Sequence, residues 1–305
     1  PEGPVQQAFR ALDQMNHGDD DDAVELLTPL VTPARPDRDV VPWVTALLRL
    51  LRRTGRADDA REIGEQWTEA LAVLGDARAD ARLAEALGWV DYHVGRLENA
   101  ERLWVGGLEA ARRAGDAWAE GALLGPTGLV ALSRGDLESC RTRLQEALAL
   151  HHGIEPLREG EVTGMLGILD HVSHQPPSAR EHYRRAMDLL GKRGPRREGA
   201  IVAAFAAALE AELVRLEDAE RLWAEAETLQ ATLRDPDVTA AMDQLRLALW
   251  WARAQGFESS GDPSRAATLV AEARERIDKA LKSEWPLPGE ARIALARMAR
   301  LFGLV

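Results

Sequence analysis

One pattern of small and apolar residues recurs along the whole chain. In each copy, a residue that ends one predicted helix is followed five positions later by an alanine or cysteine that opens the next. The pairs are Gly18/Ala23, Gly55/Ala60, Gly95/Ala100, Gly135/Cys140, His174/Ala179, Val214/Ala219 and Gly261/Ala266. The second members are spaced by 37, 40, 40, 39, 40 and 47 residues. Self-similarity at such a period is the signature of a repeat architecture.

Each repeat is predicted to hold two helices with complementary faces. Small residues share one position in the first helices: Ala11, Gly88, Gly128, Gly167, Ala207 and Ala254. The second helices carry larger residues at one position, namely Leu27, Trp104, Leu144, Tyr183, Trp223 and Val270. A mid-helix glycine costs about 1 kcal/mol relative to alanine. Glycines in register therefore indicate that a neighbouring helix approaches closely.

The residues of the clearest copies resemble the tetratricopeptide repeat (TPR). One copy reads Leu87-Gly88, Tyr92, Gly95, Ala100 and Trp104, and a later one reads Leu166-Gly167, His171, Ala179, Tyr183 and Ala186. The family pattern has Leu-Gly, an aromatic residue, alanine and a second aromatic residue at these offsets. The chain departs from it at Asp91 and Asp170, where the family usually has an aromatic residue.

The resemblance implies an all-α fold: a right-handed α-solenoid (superhelix) of about seven TPR-like helix pairs plus a C-terminal helix. We expect a single superhelical domain over residues 1–305. The predicted repeats are 4–40, 41–80, 81–120, 121–159, 160–199, 200–246 and 247–284, with a final helix at 290–302. These repeats exceed the usual 34 residues and are similar to those of maltose-regulator (MalT) type, LuxR-like bacterial signal-transduction regulators.

The C-terminal helix is predicted to be the first helix of an eighth unit. Its tail, Leu301 to Val305, is apolar, whereas a terminal repeat is normally capped by a polar face. We therefore expect the natural chain to continue past Val305, with this end covered by further repeats or by self-association through the C-terminal helix.

Composition narrows the function. The chain is 46% hydrophobic and 29% charged, as expected for a folded protein, and its net charge of −12 argues against direct nucleic-acid binding by this segment. The chain has no run of about eighteen consecutive apolar residues, so no membrane span is predicted. The single cysteine, Cys140, cannot form an internal disulfide, so a reducing cytoplasm is the expected location.

Three features could carry chemistry, and each also has an ordinary structural explanation. Asp19 to Asp22 suggest a cation site or, alternatively, solvated carboxylates at a helix N-terminus. His171 and His174 have a spacing that could share a metal, but no further ligand supports one. Cys140 occupies the repeat's alanine position and is predicted to pack as a small residue. The motifs of common enzymes and cofactor sites are missing, so we expect neither catalysis nor a cofactor.

In TPR arrays the first helices line a concave groove, and this resemblance supplies the candidate binding site. It consists of an apolar and aromatic stripe with a basic N-terminal side: Arg49, Arg52, Arg53, Trp89, Tyr92, His93, Leu129, Leu132, Ile168 and His171. The alternative is that longer helices bury the stripe. The Asn and Lys positions of chaperone-tail-binding TPR domains are not matched.

The expected function is that of a protein-interaction or sensor module in a larger bacterial cytoplasmic regulator. Its groove would bind a protein or peptide partner, a partner domain or a small effector, with an apolar body and an acidic end. A stand-alone assembly scaffold without a small ligand is the alternative.

Overall fold

The computed structural model describes residues 3–17, 20–32, 36–191, 196–231, 233, 235–283, 287 and 289–305. Within these ranges the chain forms fifteen α-helices and two short 3-10 helices (Thr28–Leu30 and Arg38–Val40), and no strand. The α-helices are α1 Pro4–His17, α2 Asp20–Leu27, α3 Val41–Arg53, α4 Ala57–Leu74, α5 Ala77–His93, α6 Leu97–Ala114, α7 Ala117–Ser133, α8 Leu137–His151, α9 Pro156–Val172, α10 Pro176–Leu190, α11 Arg196–Glu212, α12 Leu216–Gln230, α13 Pro236–Ser259, α14 Pro263–Leu281 and α15 Gly289–Leu301. The predicted all-α fold of helix pairs is confirmed. Gly18, Asp19 and residues 284–286 and 288 lie outside the described residues.

Internal contacts divide the chain into two compact units. Unit 1 comprises Pro1–Val130, Gln145–Leu150 and Arg234–Pro236. Unit 2 comprises Ala131–Leu144, His151–Leu233 and Asp237–Val305. A single superhelical domain stays a prediction.

The turn within each pair is the recurring motif seen in the sequence. All six described first members adopt a left-handed backbone, with φ of 77° at Gly55, 80° at Gly95 and Gly135, 56° at His174, 58° at Val214 and 85° at Gly261. In each turn, the residue after this position donates its N–H five residues back, as Arg96 does to the Asp91 carbonyl (2.8 Å). This is the Schellman arrangement, which satisfies the last carbonyls of a helix. All seven second members, from Ala23 to Ala266, are fully buried.

The paired helices are antiparallel and interlock through small and large residues. In unit 1, Gly88 of α5 faces Trp104 of α6, while Gly107 of α6 faces Ala84 of α5. In unit 2, Gly167 faces Tyr183, and earlier residues of α9 face later residues of α10. Contacts that run in opposite directions along the two helices define the antiparallel arrangement. The predicted close approach at Gly88 and Gly167 is confirmed.

Several helices begin earlier than the predicted repeat boundaries. Helices α5, α7, α9 and α11 begin four residues before the boundaries at 81, 121, 160 and 200, and the boundary at 247 falls inside α13. Capping explains the earlier start of α5, because the Asp76 side chain accepts from the N–H groups of Arg78 and Ala79. A proline likewise opens α13, where the ring fits the first helical position.

Candidate functional site

The three arginines predicted to form the basic side of the groove are engaged by carboxylates of unit 1. The pairs are Arg49–Glu85 at 3.2 Å, Arg52–Asp235 at 3.9 Å and Arg53–Asp20 at 2.9 Å. All three carboxylates are buried, and a buried carboxylate requires a positive partner. The prediction of a basic side available to a ligand is thus wrong for Arg52 and Arg53, whose side chains are 9% and 16% exposed. Arg49 remains 39% exposed.

An aromatic cluster lies beside Arg49 in unit 1. The Trp89 ring stacks on His93 at 5.6 Å and meets Tyr92 and Trp104 edge-on at 5.5 and 5.1 Å between centroids. Tyr92 and His93 are buried, whereas Trp89 is only partly buried. The indole Nε1 of Trp89 donates to Glu85 Oε1 at 3.1 Å. Glu85 therefore holds both Trp89 and Arg49 in place.

The remaining stripe residues are interior. Leu129 in unit 1 and Leu132, Ile168 and His171 in unit 2 are at most 6% exposed. The expected exposed apolar patch is therefore wrong for these four residues and for Tyr92 and His93. The first helices α5, α7 and α9 have 17 residues each, and the burial of these positions agrees with the alternative that longer helices cover the stripe.

His171 belongs to a buried polar chain in unit 2. Its Nδ1 lies 3.3 Å from the Tyr183 hydroxyl, and its Nε2 lies 3.2 Å from Glu212 Oε1. Arg297 of α15 donates from Nε to the same Oε1 at 2.9 Å, and its Nη2 bonds the other oxygen of Glu212. Burial lowers the pKa of His171 while Glu212 opposes that shift, and burial raises the pKa of Tyr183.

The structure gives no support to the alternative of a histidine metal site. Helix α9 ends at Val172, so His174 lies in the turn beyond it and is not on the same helix as His171. No cluster of three or more potential metal ligands occurs in the described part of the chain. Cys140 is fully buried, as predicted, and burial raises the pKa of its thiol to about 12.

A repeated arginine–carboxylate pair was missed from the sequence. An arginine next to the buried alanine or cysteine of one repeat reaches an acid near the end of the next first helix. The pairs are Arg61–Asp91 at 3.4 Å in unit 1, and Arg141–Asp170 at 2.7 Å and Arg180–Glu210 at 2.6 and 2.7 Å in unit 2. The partners are 30, 29 and 30 residues apart. The signal was Asp91 and Asp170, which replace the family's aromatic residue.

A cavity of 680 Å³ lies on α10, α11 and α12 of unit 2. Its arginines include Arg180, Arg184 and Arg221, all of which pair with carboxylates. This compensation of charge leaves no excess of positive groups for an anionic ligand.

The helices of the described ranges include none that is long and apolar enough to cross a membrane.

No protein-family model matches the chain, and neither does any curated protein. Several solved structures share its fold. A Rap protein in complex with Competence and Sporulation Factor is 14% identical, with a TM-score of 0.63 over 90% of this chain and 75% of that one. The apo form of RapI is 11% identical, with a TM-score of 0.60 over 92% and 99%.

A third structure links the fold to a named repeat. It is a signal transduction ATPase with numerous domains (STAND) that carries a tetratricopeptide repeat sensor, from Pyrococcus horikoshii. It is 18% identical, with a TM-score of 0.59 over 92% of this chain, which spans 43% of that protein. At such identities the likeness shows the fold alone, so the predicted all-α repeat of helix pairs is confirmed, while membership of the TPR family stays a prediction.

Proposed function

We propose that the chain is a protein-interaction or sensor module of a larger bacterial cytoplasmic regulator and binds a peptide segment of a partner. Two comparisons support this: the Rap structure is a complex with Competence and Sporulation Factor, and the STAND protein uses its repeats as a sensor. A stand-alone scaffold remains the second candidate. A full-length sequence with an ATPase or helix-turn-helix domain beside these repeats would favour the regulator.

The observation that carries the proposal is the Arg49–Trp89 surface, defined by these two side chains of α3 and α5. Both occupy equivalent positions in successive first helices, and both remain accessible where the corresponding Leu129 and Ile168 are buried. Tryptophan and arginine are the residues most enriched at binding hot spots. Glu85 fixes both, so little conformational freedom is lost when a ligand binds.

The chemistry of this surface selects the ligand class. The partly exposed indole of Trp89 suits an apolar side chain. The Arg49 guanidinium has five N–H donors, and Glu85 accepts from Nη2, which leaves the fork able to meet a further carboxylate. A short peptide with an apolar side chain beside an acidic group fits both features. Small effectors of the same chemistry would compete for the same place.

The test is selection of random peptides on the full chain, followed by fluorescence anisotropy with the enriched labelled peptides. Trp89→Ala and Arg49→Gln should each weaken binding at least about tenfold, which corresponds to about 1.4 kcal/mol. Trp118→Ala is the matched control, because Trp118 is also a partly exposed tryptophan of unit 1.

The circular-dichroism spectrum and melting temperature of each variant should match the parent, which separates loss of binding from loss of fold. Peptides that bind Trp89→Ala and the parent equally would place the site elsewhere. A library that yields no ligand for the parent chain would contradict peptide binding.

A further inference from the structure

Helix α15 of unit 2 is enclosed, although the seven helix pairs are complete without it. Eight of its 13 residues are buried, including Glu290, Ala294 and Met298. A helix on the surface of a domain normally keeps a wide polar face in solvent. Among the residues of α15 only Arg300 is classed as exposed. The helix therefore lies in a seat formed by other elements of unit 2.

The described contacts of α15 and of Phe302 after it are with α11, α13 and α14. Glu290 pairs with Arg197 at the start of α11 (3.3 Å), and Arg297 pairs with Glu212 at its end (2.9 Å). After the helix, Phe302 meets Trp251 of α13 edge-on at 5.6 Å between ring centroids. A contact with a second helix is also present, since Arg274 of α14 donates to the Phe302 carbonyl at 2.9 Å.

Helical spacing places Arg197 and Glu212, the two ion-pair partners of α15, on one side of α11. Positions 197, 201, 204, 208 and 211 fall on one face of α11, because each lies three or four residues after the last. Ala204, Ala208 and Ala211 on this face are fully buried. On α15, Glu290 and Arg297 are seven residues apart with buried Ala294 between them. The two ion pairs, Arg197–Glu290 and Glu212–Arg297, tie α15 to both ends of α11.

The Arg297 end makes this seat selective. Glu212 is largely buried between His171 of α9 and Arg297 of α15. Removing the arginine would leave a buried carboxylate without its guanidinium, which is strongly unfavourable. A helix that lacks an arginine at this point would therefore be rejected, and one that lacks an acid near Arg197 would lose the second pair.

We propose that the surface of α11, α13 and α14 that holds α15 is a second interaction site, which binds a partner helix. Helix α15 is its resident occupant. The partner is an alanine-rich amphipathic helix with a carboxylate and an arginine two turns apart, and its binding displaces α15. A 13-residue helix is marginal in isolation, so α15 depends on the seat and loses order when it leaves. This site shares no residue with the Arg49–Trp89 surface and does not rest on the function proposed there.

The experiment uses the full chain and a fluorescein-labelled synthetic peptide with the sequence of residues 289–302. The parent chain should bind it weakly, because its own α15 competes. Arg297→Glu in the chain should expel α15 and raise affinity for the peptide at least about tenfold. Arg300→Glu is the matched control, since Arg300 is the exposed arginine of the same helix, and it should bind as the parent does. A peptide that itself carries the Arg297→Glu change should bind none of the three chains.

Hydrogen exchange on the unaltered parent decides the matter even where Arg297→Glu fails to fold. We expect the α15 amides to exchange through local opening, faster than those of α9 and α11, and to exchange still faster when the peptide is added. Exchange of α15 only together with α9 and α11, in global unfolding, would make α15 a permanent part of the core and overturn the proposal. Equal peptide affinity of the folded Arg297→Glu variant and the parent would overturn it too.

Discussion

A Cβ atom on Gly88 would lie 2.1 Å from Nε1 of Trp104. The Trp104 ring rests against the backbone of α5, and its Nε1 donates to the carbonyl of Glu85 at 3.1 Å. The same arrangement recurs in unit 2, where a Cβ on Gly167 would lie 2.6 Å from the Tyr183 ring. In both pairs, glycine is what allows a large aromatic ring of the second helix to reach the first.

Gly88→Ala should therefore destabilise the chain although alanine is the better helix former. Overpacking of a core costs about 1–3 kcal/mol, and the 2.1 Å approach to a buried ring places this change near the upper end. That cost is larger than the roughly 1 kcal/mol gained in helix propensity. Urea denaturation should show a lower midpoint at an unchanged slope. Gly106→Ala is the control, because Gly106 is also helical and has nothing within 4 Å of its Cβ position. That change should raise the urea midpoint. A raised midpoint for Gly88→Ala as well would contradict the close packing of Trp104 against Gly88.

Val214→Gly should stabilise the chain. Val214 has a φ of 58° and is 52% exposed, so it combines a left-handed backbone with few contacts. That backbone costs an L-residue about 1–2 kcal/mol, whereas glycine adopts it freely at an entropic cost of about 0.5–1 kcal/mol. We expect a net gain of about 0.5–1 kcal/mol in thermal or urea unfolding. Val105→Gly, at an exposed position within α6, should show the opposite sign because glycine weakens a helix interior.

The sequence was sufficient for the repeat and its turns because local rules decide them. The left-handed residue and the buried alanine five positions later appear in every described turn, even where His174 or Val214 replaces glycine. The burial of the apolar and aromatic residues of the candidate binding site could not be predicted from such local rules. Residues such as Ile168 and His171 have the same spacing whether their face is open or covered, and only the packing of the long helices decides between the two.

The arginine–carboxylate pairs could not be predicted from the sequence for a different reason. Asp91 and Asp170 were visible as departures from the family pattern, but their partners lie about thirty residues earlier and belong to the preceding repeat. A search within one repeat cannot find them. The contacts of α15 are longer in range, since Arg197 and Glu290 are 93 residues apart. No repeat rule predicts that such distant residues meet.

Arg180→Ala should destabilise the chain through Glu210. The guanidinium binds both oxygens of this buried carboxylate, and hydrogen bonds to charged groups contribute about 1.5–3 kcal/mol. Arg180 is itself 40% exposed, so we expect a loss near the lower end of that range. A double-mutant cycle with Glu210→Ala should give a coupling of at least about 1 kcal/mol.

Arg184→Ala is the matched control on the same helix. Arg184 pairs with Glu181 and Asp188, but all three side chains are more than 60% exposed. Solvent screens exposed ion pairs, and they contribute little to stability, so the unfolding midpoint of Arg184→Ala should stay close to that of the parent. Equal losses in the free energy of unfolding for Arg180→Ala and Arg184→Ala would show that the Arg180–Glu210 pair between repeats stabilises the chain no more than an exposed pair does.

Glu159 should make the stability of the chain depend on pH in the acidic range. Its buried carboxylate accepts the Gly153 N–H at 2.9 Å and also bonds Arg185 and His152. The backbone bond from Gly153, with these two partners, lowers the pKa of Glu159 to about 2 from the ordinary value of 4.5. A depressed folded-state pKa means that the stabilisation is complete above about pH 4.5 and is lost as the pH falls toward 2.

Glu159→Gln removes this titration, and its effect should be read as a difference between two stability curves. At pH 7 the variant should be less stable than the parent by about 1.5–3 kcal/mol, because bonds to a charged acceptor are lost. The difference should shrink between about pH 4.5 and pH 2, where the parent's own carboxylate becomes protonated. Glu146→Gln, at an exposed position of α8, should follow the parent within about 0.5 kcal/mol throughout. Urea unfolding at pH steps of one unit measures all three chains. A constant gap between parent and Glu159→Gln down to pH 2 would mean that Glu159 does not titrate in this window, so the turn would not depend on its charge.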